Sequence, residues 1–348
     1  MKKKYIVLSI ITLVLLITFV TSFNYFKTSN NYVEDSVNNQ TKITKGISMN
    51  LEQTAGAGDY KIVTQSNWPT EGYKFNAELS KCENGGEISW DDTKKAVIVS
   101  GNLSDKCYVY FDIYQLTLAE YIKSQYTGTQ GDNALYYHNS TLTNGAGDNS
   151  YRYAGASDSV NNYICLGSDT TTCPDANLFR IIGVFGDKTK VIRAKSVGYQ
   201  QWHTSADNTW SSSSLNAYLN GTYLTSLGTI AEKIATTTWK VGGGSGSNIS
   251  ASVPKTAYKN EVGSSASTTI IDKKIGLMYV SDYGFAASPS AWTKTLGDYD
   301  GTDANGTSIK TINWMYMGYN EWTISRHSDN TNSAFFVNST GNVLGSNV

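Results

Sequence analysis

Chemistry in this chain would fall to its cysteines, histidines and clustered acids, and few of them form a pattern. Cys82, Cys107, Cys165 and Cys173 show no Cys-x-x-Cys spacing and no accompanying histidine pattern, so zinc ligation has no support. Four cysteines permit three connectivities, and their grouping favours the disulfides Cys82–Cys107 and Cys165–Cys173. Asp298, Asp300, Asp303 and Asn305 share the loop DYDGTDANG, a set of hard oxygen ligands that could wrap calcium. The loop departs from an EF-hand, because the sixth position is Asp303 rather than Gly and the twelfth is Ile309 rather than Glu. A solvated Asp/Asn/Gly turn is the alternative, and no other cofactor is implied. His203, Arg326 and His327 lie beside tryptophans, and serines are abundant, yet no Gly-x-Ser-x-Gly elbow supports a Ser–His–acid set. His138 stands alone in a polar stretch and reads as solvated. The expectation is therefore a protein that is not an enzyme. Binding is the better prospect: Trp202, Trp210, Trp292 and Tyr319 fall in polar loops, where aromatic rings could stack on a sugar or peptide.

The bulk numbers agree with such a reading. The chain has 348 residues, enough for two domains, with 16% charged residues, 24 tyrosines and 8 tryptophans. A net charge of −1 gives no electrostatic footprint for nucleic acid. Lys2, Lys3 and Lys4 precede residues 5–23, an uncharged apolar run about as long as a membrane-spanning helix needs. The lysines favour an inside N-terminus, so residues 1–23 read as a signal anchor and the remainder as extracellular. A cleaved signal peptide, giving a secreted product, is the alternative.

These elements must be positioned by a scaffold, and the sequence divides it. Residues 24–44 read as a spacer. Residues 45–113 hold about six short alternating stretches, among them residues 88–90, 96–99 and 107–111, predicting a small antiparallel β-sandwich that the Cys82–Cys107 bridge would staple. Residues 114–150 are predicted as a helix, opened by a Thr117/Glu120 capping box, and a surface linker. In residues 151–348 the surest element is a hairpin of residues 178–185 and 190–194 about Gly186-Asp187. Ser212 is expected to cap a helix carrying Leu215, Tyr218 and Leu219 that stops at Asn220-Gly221, and Thr229/Glu232 reads as a second capping box. Residues 242–267, rich in Gly and Ser, are predicted mobile, residues 275–280 a buried strand, and residues 292–309 a loop. Trp314, Trp322, Phe335, Val337 and Val343 mark closing strands around a turn at 338–341.

Four blocks in order, LFRIIGVFGDKTKVIRAKSVG from Leu178, TWSSSSLNAYLNGTYLTSL from Thr209, KIGLMYVSDYGFAAS from Lys274 and NEWTISRHSDNTNSAFFVNSTGNV from Asn320, resemble an exported surface module of unknown function from Firmicutes or mollicute-like bacteria. The resemblance covers residues 150–348, and the stretches from Trp68 and Ser104 look like the sandwich that often precedes the module. It implies a C-type-lectin-like, or formylglycine-generating-enzyme-like, mixed α+β fold with long loops, and a cell-surface location, but no catalytic residues. Members continue past the last hairpin with a strand of Arg-Pro-Val type, so a missing strand or an open edge over Phe335 to Val343 is expected. The overall expectation is an α+β chain with a transmembrane helix, a β-sandwich and a lectin-like domain that binds an extracellular glycan or protein. A self-associating envelope or stalk protein is the alternative, with an extracellular enzyme the least favoured reading.

Overall fold

The computed structural model describes residues 46–63, 72–101, 105–168, 170–244 and 249–348. The expected anchor at 1–23 and spacer at 24–44 lie outside the described residues. Among the described residues no helix is long and apolar enough to cross a membrane. The chain is mixed α and β with mostly antiparallel sheets, and it divides into two compact units between Leu116 and Thr117.

In the first unit, Lys106–Ile113 is the organising strand, because alternation puts Cys107, Val109 and Phe111 on one buried face. A five-stranded sheet forms around it, with Tyr60–Ile62, Gly46–Glu52, Lys106–Ile113 and Tyr73–Phe75 in that order and Lys81–Cys82 also pairing Lys106–Ile113. The hairpin of Glu87–Asp91 and Ala96–Ser100 supplies Ile88, Trp90 and Val97 to cover Met49, Leu51, Val109 and Phe111. Trp90 meets Phe111 edge-on, with ring centroids 5.0 Å apart. The expected all-antiparallel pattern needs one correction. Gly46–Glu52 runs parallel to Lys106–Ile113, a pairing open to it because more than fifty intervening residues supply the crossover. Cys82 faces Cys107 across the ladder and is bonded to it, with Cα atoms 4.0 Å apart.

The second unit is built on Leu178–Phe185, whose six central residues are all buried. The expected hairpin forms, with Lys188–Arg193 along one edge of this strand, while Tyr163–Cys165 and Ser150–Tyr153 pair with it elsewhere and Leu135–His138 extends the sheet. Residues 126–150 are thus not all loop, and His138 is fully buried rather than solvated. The Thr117/Glu120 capping box opens helix Leu118–Ser124 as expected. Cys165 and Cys173 are bonded.

Several local signals yield to tertiary contacts. The cap near 212 belongs to Ser213, whose hydroxyl accepts from Asn216 N at 3.1 Å. The helix does not stop at Asn220-Gly221. It passes through a wide turn, Leu219–Tyr223, into Leu224–Ser226, because the Asn220 amide donates to Asn216 O and to Ile275 O and so stays in the helix. Thr229 makes no side-chain cap bond, and Ile230–Lys233 is one turn long. The described part of residues 242–267 contains helix Pro254–Glu261, with Pro254, Ala257 and Glu261 buried. The strand expected at 275–280 does not form: residues 275–279 are irregular, and Val280 opens a fully buried helix, Val280–Ala286. Residues 292–309 are short 3-10 turns whose Trp292, Leu296, Tyr299 and Ile309 are completely enclosed. Glu321–Arg326, Ser333–Val337 and Val343–Asn347 close the unit as an antiparallel sheet. Ser333–Val337 is its middle strand, so Phe335 is paired on both sides, and Glu321–Arg326 and Val343–Asn347 form the edges of this sheet among the described residues.

The main strand bulges between Ile181 and Gly183, where it passes close to its neighbour. A Cβ on Gly183 would lie 2.2 Å from the Tyr151 carbonyl oxygen, and backbone cannot yield as a side chain can. Gly183→Ala should therefore lower stability by about 1–3 kcal/mol in chemical denaturation, whereas Gly186→Ala, with open space around its Cβ, should cost less despite a φ of 66°.

Candidate functional site

Arg180 interrupts an otherwise apolar strand, and its surroundings explain how the charge is tolerated. Its guanidinium lies over the Tyr163 ring at 4.4 Å and the Trp314 ring at 4.6 Å. Nε donates to Asn162 Oδ1 at 2.7 Å, Nη1 to Ser157 Oγ at 2.7 Å and Trp314 O at 3.2 Å, and Nη2 to Val160 O at 3.0 Å. All of these acceptors are neutral. Burial pulls the guanidinium pKa down, but an arginine so far above neutrality stays charged. Trp314 is fixed in turn by its Nε1, which donates to Tyr153 O at 2.8 Å.

Beside this stack opens a pocket of about 160 Å³, lined by Arg180, Arg193, Trp314, Tyr316, Met317 and Glu321 among others. Glu321 starts the Glu321–Arg326 strand and brings an acid to the wall. Its Oε2 is buried with no hydrogen-bond partner among the described residues, and burial raises the carboxyl to about 7. A fixed cation between aromatic faces and an unpartnered acid are the kind of convergent polar groups that orient a ligand in an apolar pocket.

A second polar constellation holds the unit together. Arg152, 2% exposed, donates through Nε to Ser150 Oγ at 2.8 Å and through Nη2 to Asp148 Oδ2 at 2.8 Å, and its Nη1 lies 3.6 Å from Asp282 Oδ1. Lys190 Nζ reaches Asp282 Oδ2 at 2.5 Å, and the same oxygen accepts Tyr279 N at 2.9 Å to cap helix Val280–Ala286. Glu261 accepts Val280 N at 3.0 Å, Ser281 N at 2.9 Å and the Ser325 hydroxyl. Burial opposes charge on Asp148, yet the Arg152 charge and the Ser150 bonds prevail and hold it at about 2. Burial of Glu261 has the opposite outcome. Its hydrogen bonds only partly offset desolvation, and the carboxyl sits at about 7. Burial, reinforced by Arg152, pushes the His138 imidazole well below its usual value, and its ring packs against Phe285 and Trp292.

The loop aromatics expected to meet a ligand separate sharply. Trp202, Trp210 and Trp292 are 0%, 1% and 0% exposed and pack in the interior, Trp202 against Trp210 and Trp322, and Trp292 against Phe285 and Tyr136. Rings enclosed on all sides offer no face to a ligand, so these three are corrected to core positions. Tyr319 is 60% exposed and stands apart from the pocket lining. Of the acidic loop, Asp303 turns inward: the Ser290 hydroxyl and the N–H groups of Thr307 and Asn305 hold its carboxyl below the usual range. Asp298 accepts from the Thr295 hydroxyl, and Asp300 N donates to Asn342. Among the described residues no group of three or more His, Cys, Asp or Glu is placed to hold a metal. His327 stacks on Phe335 at 4.1 Å, with Nδ1 4.0 Å from Asp329, while His203 Nδ1 accepts from Ser205 N. Sequence reasoning passed over Arg180 and Glu321. The available signal was a charged residue inside the apolar run LFRIIGVF.

No family model matches the chain, and neither a curated protein nor a solved structure is significantly similar to it.

The shifted acids set a pH dependence. Glu261 and Glu321 bind protons more tightly in the folded chain, at about 7, than at their ordinary 4.5, so their contribution to stability grows as pH falls from 7 to 4.5. Asp148, lowered from 3.8 to about 2, contributes stability that is full above 3.8 and is lost as pH falls toward 2. Melting temperature measured against pH should gain from the two glutamates on mild acidification and drop again below 4. Glu321→Gln should remove part of that gain, and an unchanged acid-side slope would contradict the assignment.

Proposed function

We propose that this chain is a membrane-anchored bacterial cell-surface protein whose C-terminal unit, lectin-like in type, binds an extracellular ligand, a glycan or a protein segment, in the pocket between Arg180 and Glu321. The observation that carries the reading is the pocket itself, which pairs an immobilised guanidinium–aromatic stack with a carboxyl that the protein leaves without a donor. An unpaired buried acid is costly, and a ligand donor would offset that cost. A pocket of this size accepts one side chain or part of one sugar ring rather than a whole oligomer, as expected of a site that reads a terminal group on a larger molecule. The basic residues before the apolar run 5–23 and the two disulfides support export.

Residues 45–348 applied to glycan and peptide arrays should show saturable binding to a limited ligand class. Glu321→Gln should weaken that binding about tenfold, equivalent to about 1.4 kcal/mol, without loss of fold by circular dichroism. Arrays showing nothing above heat-denatured protein would sink the proposal, and binding indifferent to Glu321→Gln would move the site elsewhere.

A further inference from the structure

Lys190 and Asp282 are placed for more than an ion pair. They lie 92 residues apart in sequence, on strand Lys188–Arg193 and helix Val280–Ala286, with side chains 18% and 2% exposed and Nζ 2.5 Å from Oδ2. The ammonium faces an aromatic shell: the rings of Tyr279, Trp239 and Phe185 lie 4.5, 5.3 and 5.6 Å from Nζ. Both carboxyl oxygens meet protein cations or donors, Oδ1 facing Arg152 Nη1 at 3.6 Å and Oδ2 accepting Tyr279 N at 2.9 Å. A second acid, Glu261, caps the start of the same helix through Val280 N and Ser281 N. The surface pair Lys195–Asp175 has the same 2.5 Å separation, but its side chains are 60% and 65% exposed and it has no comparable enclosure.

We propose that Lys190 and Asp282 form an intramolecular amide cross-link. Lys190 Nζ first passes one proton to Asp282 Oδ2, its freed lone pair attacks Asp282 Cγ, the Nζ–Cγ bond forms, and the Cγ–Oδ2 bond breaks. The ammonium gives two of its three protons to the departing oxygen, which leaves as water, and the third stays on the amide nitrogen. No oxidant, reductant or co-reactant is needed. Arg152 and the Tyr279 N–H stabilise the negative charge that develops on the carboxyl oxygens during attack. Condensation between free amine and acid is opposed by bulk water, but a fixed, enclosed pair carries an effective concentration far above any solution value, up to about 10⁵–10⁸ M in well-oriented systems. The product also removes two buried charges of opposite sign and leaves the Arg152–Asp148 pair balanced. The bond would clamp the hairpin to the buried helix, a useful restraint for an exported chain exposed to proteases and shear.

Peptide mapping of the purified full-length chain after disulfide reduction tests this. The expected result is a branched peptide joining the Lys190 and Asp282 segments, lighter than their sum by one water, and its disappearance in Lys190→Arg, which keeps the cation but cannot form the amide. Linear Lys190 and Asp282 peptides from folded wild-type protein would overturn the proposal. So would a lost water that maps to the Asp300-Gly301 dipeptide, where a succinimide produces the same mass change.

Discussion

Asp282 is the point on which the second unit depends. Its carboxylate caps helix Val280–Ala286, takes Lys190 from the hairpin and faces Arg152 from the neighbouring strand, while Glu261 and Ser325 bring a further helix and the closing sheet to the same place. Five elements therefore meet at a largely buried set of charges. Such a cluster contributes little net stability over an apolar core of the same volume, because desolvation offsets most of the attraction. Its effect is specificity: an element displaced from the cluster leaves a buried charge unpaired, which costs about 3–5 kcal/mol. The surrounding apolar clusters fill space, and the charges fix which elements adjoin.

The same arrangement holds the pocket wall. Leu178–Phe185 and its hairpin partner are anchored at one end by Lys190, and farther along the same strand Arg180 is locked by Asn162, Ser157 and the Trp314 carbonyl. A guanidinium with every donor engaged cannot swing toward a ligand. It presents a fixed positive potential and rigid aromatic faces, and the adaptable group opposite is Glu321. That division, rigid cation and unpartnered acid, distinguishes this pocket from the acidic loop at 298–305, where Asp303 is already satisfied by Ser290, Thr307 and Asn305.

Legibility in the sequence followed the range of the interactions involved. The Thr117/Glu120 box was readable because both partners lie three residues apart. The hairpin about Gly186-Asp187 and the Cys165–Cys173 bridge were readable because few residues separate their ends. Cys82–Cys107, at 25 residues, rested on the grouping of four cysteines alone. Residues 275–280 read as a strand because their apolar run fits either period, the Tyr279/Asp282 box lacks the Ser or Thr that marks such a cap, and the other cap, Glu261, acts through the fold. Asn220-Gly221 carried a stop signal that the distant Ile275 carbonyl overrode. The loop tryptophans were misplaced for a related reason: their neighbours in sequence are polar, but their neighbours in space are other aromatic rings.

By itself, then, the sequence determined the short-range elements, the pairing of the cysteines into two disulfides and the apolar run after the N-terminal lysines. Tertiary structure alone decided which tryptophans are core, which acids are paired, that Gly46–Glu52 runs parallel to Lys106–Ile113, and that Arg180 and Glu321 face one pocket. The physical reason is that periodicity and capping report contacts within a turn or a hairpin. Burial of a charge, and the pKa it acquires, depend on groups that can lie a hundred or more residues away, as Arg152 and Asp282 do.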